Sequence, residues 1–180
     1  MRLIHAGQAL ALAAALLAGP FTAASAADTA AARPEKLAAK FTATLVARHS
    51  GKCLDVAGVS TADGANVQQW TCLPNQRNQE WNLVATDSGY YTLRAVHSGK
   101  CLDVAGVGTA DGANVQQWTC LSNQRNQEWR LVQKDNGYFT LVVRHSGKCL
   151  DVAGVGTADG ANVQQWTCLP NQRNQEWRLA

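Results

Sequence analysis

Several features that often decide a protein's class are scarce in this sequence of 180 residues. The first fifty residues contain no cysteine and no tryptophan, although the whole chain has six of each. Charged residues make up only 16% of the chain, and its lysines and arginines lie singly or in pairs. Phosphate binding usually needs a dense basic stripe, so nucleic acid is not an expected ligand. With 46% hydrophobic residues, the chain is also not a disordered or collagen-like protein.

Long apolar runs are missing as well, with one short exception near the N-terminus. The run at residues 9–18 is shorter than the roughly 20 residues that a membrane-spanning helix needs. Because Arg2 precedes this run and small residues follow it, we predict a secretory signal peptide over residues 1–26. The alanine-rich residues 27–40 are expected to form a linker. The expected product is a secreted, extracellular protein with no membrane span, in which cysteines form disulfides rather than metal sites.

The rest of the sequence repeats three times at intervals of 48 residues. The copies at residues 49–81, 97–129 and 145–177 differ at only two of their 33 positions. A repeat of this length indicates stacked or ring-closed structural units. We therefore expect one domain over residues 41–180, made of three units at about 41–89, 90–137 and 138–180.

Each unit predicts short strands and turns rather than helices, because no apolar stripe of helical period is long enough. In the first unit the predicted strands cover residues 44–48, 54–56, 66–70 and 81–84, and the sequence His-Ser-Gly-Lys predicts a turn. Three units give an all-β fold with twelve short strands. Closure around a threefold axis is favoured over an open solenoid, because closure removes exposed strand edges.

The six cysteines form part of the repeat, with two in each unit separated by 19 positions. Six cysteines allow 15 pairings, and threefold symmetry leaves mainly two. One is a cyclic set that joins neighbouring units, and the other pairs the cysteines within a unit. We favour the second, which ties the second strand to the end of the third and stabilises by about 3 kcal/mol per link. The predicted disulfides are Cys53–Cys72, Cys101–Cys120 and Cys149–Cys168.

Each unit also carries an aspartate, a tryptophan, an asparagine and two glutamines that together suit a neutral sugar. An aromatic ring can cover the C–H face of a pyranose, while carboxylate and amide groups form hydrogen bonds with its hydroxyls. A disulfide within the unit would bring the aspartate and the tryptophan close together. The predicted carbohydrate-binding residues are Asp55, Gln68, Trp70, Asn78, Gln79, Asp103, Gln116, Trp118, Asn126, Gln127, Asp151, Gln164, Trp166, Asn174 and Gln175.

Purely structural interpretations compete at several of these positions. Trp81 and its copies precede a final apolar strand and are expected in the core, whereas core burial and surface exposure are both open for Trp70. Asp55 could be a turn residue, and Asn78 with Gln79 could fasten a loop through backbone hydrogen bonds. The Asp-Gly pair at residues 63 and 64 is expected to be only a turn.

Catalytic and metal-binding interpretations are weaker. His49 and its two copies each begin a surface turn, so we do not expect them to converge on a metal. His49 with Ser50 and Asp55 could be read as a hydrolytic triad, but a triad is defined by its geometry, and this serine and histidine are consecutive residues of a turn. Glu80, which we expect to be exposed, could pair with Asp55 as in a glycosidase, but three identical catalytic sites in one small domain would be unusual. We expect no enzymatic activity and no cofactor.

The repeated sequences Gly-Lys-Cys-Leu-Asp-Val, Asp-Gly-Ala-Asn-Val-Gln-Gln-Trp-Thr-Cys and Asn-Gln-Glu-Trp resemble the ricin-type β-trefoil lectin family, also called the QxW-repeat family. The resemblance covers about residues 41–180. It implies a β-trefoil with one shallow sugar pocket per unit and disulfides within each unit. By position it implies that Asp55 accepts hydrogen bonds from sugar hydroxyls, that Trp70 stacks on the sugar, and that Asn78 is an amide ligand. Gln68 and Gln79 resemble the supporting residues.

Two positions depart from the family's pattern. Leu73 and its copies replace a polar residue that many relatives place near the sugar, and Gln69 and its copies replace an inward leucine. We therefore expect a secreted, monomeric, non-enzymatic lectin with three equivalent sugar sites. The resemblance implies that its ligand is a galactose-type sugar or a plant polysaccharide such as xylan. The alternative is a trefoil that binds a protein, such as a protease inhibitor. A small glycosidase is a less favoured alternative.

Overall fold

The structure, a computed structural model, describes residues 40–180. The predicted signal peptide and almost all of the predicted linker lie outside these residues. The described part of the chain is all-β, as predicted, and its short 3-10 turns do not extend into α-helices. It contains twelve strands: β1 (Lys40–Ala47), β2 (Cys53–Val56), β3 (Val67–Trp70), β4 (Glu80–Ala85), β5 (Tyr91–Ala95), β6 (Cys101–Val104), β7 (Val115–Trp118), β8 (Trp129–Gln133), β9 (Tyr138–Val143), β10 (Cys149–Val152), β11 (Val163–Trp166) and β12 (Trp177–Leu179).

Six of these strands form a closed antiparallel barrel. β1 pairs with β4, β4 with β5, β5 with β8, β8 with β9, and β9 with β12. β12 then pairs with β1 and closes the ring. The other six strands form three hairpins, β2–β3, β6–β7 and β10–β11, one in each unit. This is the predicted β-trefoil, and its closure leaves no free edge in the barrel.

The three tryptophans expected in the core lie at the centre of the barrel. Trp81, Trp129 and Trp177 are fully buried, together with leucines such as Leu45 and Leu83. The indole N–H of Trp81 donates to the carbonyl oxygen of Leu54 at 3.1 Å, and the other two tryptophans make the equivalent bond. Because a buried indole needs an acceptor, this bond joins each barrel strand to the hairpin of its own unit.

The disulfides pair the cysteines within each unit, as predicted. They are Cys53–Cys72, Cys101–Cys120 and Cys149–Cys168. Each one connects the first residue of the hairpin's first strand to the segment just after its second strand. Each hairpin is therefore closed at its open end by a covalent bond.

Asp63 does more than form the predicted turn. Its carboxylate accepts hydrogen bonds from the backbone N–H of Thr119 at 2.7 Å and from the hydroxyl of Thr119, and it pairs with the ammonium group of Lys100 at 2.7 Å. These partners belong to the second unit and hold the pKa of Asp63 below its usual range, with the Lys100 bond as the main cause. Asp111 makes the same contacts with the third unit and Asp159 with the first, which closes the ring of contacts.

The expectation that Glu80 is exposed was wrong, and its two copies are buried more deeply still. Glu128 and Glu176 are buried, and Glu80 is half-buried. Glu128 pairs with Arg144 at 2.7 Å and Glu176 with Arg48 at 2.6 Å, because each arginine follows the barrel strand next to its glutamate. Valine occupies the third arginine position, at residue 96, so this part of the structure is not threefold symmetric.

Candidate binding pocket

Each unit has one shallow pocket beside its hairpin, and the five predicted site residues of that unit all line it. The first pocket contains Asp55, Gln68, Trp70, Asn78 and Gln79. The second and third contain their copies. The cavity volumes are about 240, 410 and 220 Å³ in chain order. These volumes lie at or below the lower end of the range for drug-sized ligands, so each pocket suits a small ligand.

Local strand pairing assembles the polar floor of the pocket. Asp55 on β2 lies directly opposite Gln68 on β3. Asn78 and Gln79 come from the turn that enters β4. The carboxylate of Asp55 accepts a hydrogen bond from Gln68 at 3.0 Å through Oδ1, and from Asn78 at 2.8 Å and Gln79 at 3.0 Å through Oδ2. The same three bonds occur around Asp103 and Asp151.

The hydrogen bonds separate the residues that could contact a ligand from those that support them. Both hydrogens of the Gln79 amide and its oxygen already have protein partners, namely Asp55, the Thr71 carbonyl and the Leu73 N–H. Gln79 is therefore a supporting residue. By contrast, Oδ1 of Asn78 is buried without a partner, and so are the same atoms of Asn126 and Asn174. A carboxylate accepts about four hydrogen bonds, so Asp55 also keeps room for another donor.

Burial and hydrogen bonding act in opposite directions on the pKa of the aspartate in each pocket. Asp55 is only 4% exposed, and its burial raises the pKa of the carboxyl above the usual value. The amides of Gln68, Gln79 and Asn78 act in the opposite direction, because they stabilise the charged form. The pKa values of Asp103 and Asp151 are raised for the same reason.

The tryptophan of the pocket belongs to the surface and not to the core. Trp70 is 38% exposed, and its copies are nearly the same, in contrast to the fully buried Trp81. The following residue, Thr71, is held by Asp159 of the third unit. A Cβ atom at Gly160 would lie 3.9 Å from Cζ3 of Trp70, so the loop of that unit packs beside the ring. The ring is thus supported by a neighbouring unit while it remains open to solvent.

Three further side chains line each pocket and were not predicted as site residues. They are Val59, Leu73 and Gln76 in the first unit. Leu73 was identified only as a departure from the family's pattern, and it is 45% exposed. Val59 and Gln76 were missed. Val59 could have been identified from the sequence, because it is an apolar residue that follows Ala-Gly in a segment of turn residues.

The histidines contact neighbouring units and do not converge on one another. Nε2 of His97 lies 2.8 Å from the carbonyl oxygen of Ser60, and His49 and His145 make the same contact with Gly156 and Gly108. The adjacent Ser50 donates to Gln69, so it is not paired with His49. Over residues 40–180, no group of histidine, cysteine or acidic residues is placed to hold a metal ion. The same part of the chain has no helix that could cross a membrane.

Gln69, the second departure from the family's pattern, lies outside the pocket. It is fully buried, and its amide donates to the carbonyl oxygens of Gly156 at 2.8 Å and Ala158 at 3.0 Å in the third unit. Gln117 and Gln165 make the equivalent bonds. Glutamine stands in place of the inward leucine because its amide joins two units through hydrogen bonds.

Comparison with known proteins identifies this arrangement. A family model described as "Ricin-type beta-trefoil lectin domain" matches residues 41–177. Among solved structures, the designed 3-fold symmetric protein ThreeFoil is 53% identical with a TM-score of 0.74, and the match covers 77% of this chain and 97% of ThreeFoil. An exo-β-1,3-galactanase from Clostridium thermocellum is 36% identical with a TM-score of 0.73, over 77% of this chain and 30% of the galactanase. The Rhizoctonia solani agglutinin is 26% identical with a TM-score of 0.70, over 82% and 98% of the two chains. No curated protein sequence matches.

Proposed function

This chain belongs to the ricin-type β-trefoil lectin family, and we propose that it binds carbohydrate at three equivalent shallow pockets. The observation that carries the proposal is the combination found in each pocket: a buried carboxylate held by three amides, beside a tryptophan that remains 37–39% exposed. The carboxylate accepts hydrogen bonds from sugar hydroxyls, and the asparagine amide holds it in place. The exposed ring covers the apolar face of the sugar.

The ligand we propose is a neutral sugar of the galactose type or a plant polysaccharide such as xylan. None of the three pockets is lined by a lysine or an arginine, so an anionic ligand would meet only the carboxylate. The similarity to a galactanase supports sugars of the galactose type. Three pockets on one domain would strengthen attachment to a polymer or a glycan-coated surface through avidity, even where each site is weak.

We further propose that the protein is secreted, monomeric and without catalytic activity. Each pocket is lined by a single carboxylate, whereas glycosidases use two on either side of the scissile bond. The signal peptide at residues 1–26 and the linker at residues 27–40 belong to this proposal. The near-identity of the three units disfavours a protease inhibitor, whose contacts would lie in a loop unique to one unit.

Retention on galactose-agarose and on insoluble xylan tests the proposal. The wild-type protein should be retained on at least one of them, and the variant W70A/W118A/W166A should elute in the void while keeping the wild-type unfolding midpoint within a few degrees. We choose these tryptophans rather than Asp55 because D55A would leave three amide donors without an acceptor and so could also lower the stability of the fold. Failure of the wild-type protein to bind either matrix or any sugar on a glycan array would overturn the proposed function.

A further inference from the structure

A strained residue stands at the edge of every pocket. Val59, Val107 and Val155 have φ angles of 54°, 54° and 55°, in the left-handed region. A β-branched residue rarely adopts this conformation, because its side chain crowds the backbone. The other non-glycine residues with positive φ among residues 40–180 are four asparagines and one serine, none of them β-branched and aliphatic.

Core packing does not account for these valines. Val59 and Val107 are 52% exposed and Val155 is 51% exposed, so burial of the side chain does not offset the strain. The preceding residue, Gly58, is also left-handed and supplies the freedom that the turn needs at its own position. Asparagine or glycine at position 59 would satisfy the backbone with less strain. Packing in the core therefore does not explain why valine stands at this position.

The neighbouring unit holds the strained turn in place. The carbonyl oxygen of Ser60, one residue after Val59, accepts hydrogen bonds from His97 at 2.8 Å and from the Gln117 amide at 2.7 Å. Gln117 also donates to the carbonyl oxygen of Ala62 at 2.9 Å. The second and third pockets have the same contacts on Gly108 and Gly156. Strained residues persist where surrounding contacts over-determine them, and such residues cluster at ligand-binding sites.

Val59 lines the first pocket together with Trp70 and Leu73, and its copies line the other two. We propose that these three valines contact the bound sugar and help to select it, an inference that rests on the proposed function of the pockets. Their methyl groups favour a sugar that places C–H or methyl groups against the turn and directs its hydroxyls towards Asp55. A hydroxyl against the valine would lose water without gaining a partner.

The variant V59N/V107N/V155N separates this role from a structural one. Asparagine has a similar size and tolerates the left-handed conformation. We expect its Tm to rise by about 3 °C or more as the strain is relieved, while affinity for lactose or xylobiose, whichever the wild-type protein binds, falls about fivefold or more by isothermal titration calorimetry. The control V132N replaces an exposed valine on β8 outside the pockets and should leave the affinity unchanged.

The outcomes distinguish the two proposals. If the wild-type protein binds the sugar and V59N/V107N/V155N binds it with the same affinity, the proposed role of the valines is overturned and the proposed function stands. A fall in both Tm and affinity would also overturn it, because the valines would then be structural. No binding of lactose, xylobiose or any glycan on an array by the wild-type protein would overturn the proposed function and this inference together.

Discussion

At the residue scale, each pocket has a floor of four polar side chains beside an indole ring that is exposed to solvent. Asp55, Gln68, Asn78 and Gln79 could be predicted because their chemistry suits a sugar and because they recur in three units. Trp70 remained ambiguous, since residue type alone does not distinguish an indole on a hairpin from one inside a barrel. Strand pairing decides this, and it places Trp81 inside the barrel and Trp70 on the surface.

The raised pKa of Asp55 and its copies predicts a pH dependence of sugar binding. The charged carboxylate offers both oxygens as acceptors for sugar hydroxyls, whereas protonation converts one of them into a donor. Because burial raises the pKa above the ordinary 3.8, retention on the sugar matrix should decline as the pH falls through this raised value. The decline should begin above pH 3.8, before the fold is lost. Elution at stepwise lower pH, with circular dichroism at each step, measures both. Full retention down to the acid unfolding transition would contradict the assignment.

At the element scale, the strands could be predicted and the contacts between units could not. Alternating apolar residues and turn motifs placed the strands to within a few residues. The bonds that Asp63, Gln69 and His97 make to other units join residues 37 to 89 positions apart. No local pattern reports such pairs, which is why Asp63 was interpreted only as a turn residue and Glu80 as exposed.

The contacts of Asp63 predict a measurable contribution to stability. Its carboxylate accepts the backbone N–H and the hydroxyl of Thr119 in addition to the Lys100 ion pair. D63A should therefore lower the urea midpoint of unfolding more than K100A, which removes an ion pair that is partly screened by solvent and one hydrogen bond to the Thr119 hydroxyl. D159A should match D63A, because it breaks the equivalent link that closes the ring. Equal effects of D63A and K100A would show that the ion pair alone matters.

At the scale of the whole molecule, three units close on one another and each unit completes the pocket of its neighbour. The loop at Gly160 supports Trp70, and His97 holds the turn at Ser60. The symmetry was evident from the repeat, and it left two pairings of the cysteines, of which the favoured one within units is present. The two positions that differ within the repeat, and Val96 in place of an arginine, do not line the pockets. We therefore expect the three pockets to bind the same sugar with similar affinity.

The six indole N–H signals in a ¹H–¹⁵N NMR spectrum test the central claim most directly. Titration with galactose, lactose or xylobiose should shift the signals of Trp70, Trp118 and Trp166, because these rings are exposed in the pockets. The signals of Trp81, Trp129 and Trp177 should stay in place, because these indoles are buried and bonded to backbone carbonyls. Three shifting and three constant signals are the predicted result. No shift with any of the sugars, or shifts of the buried indoles alone, would contradict three sugar-binding pockets.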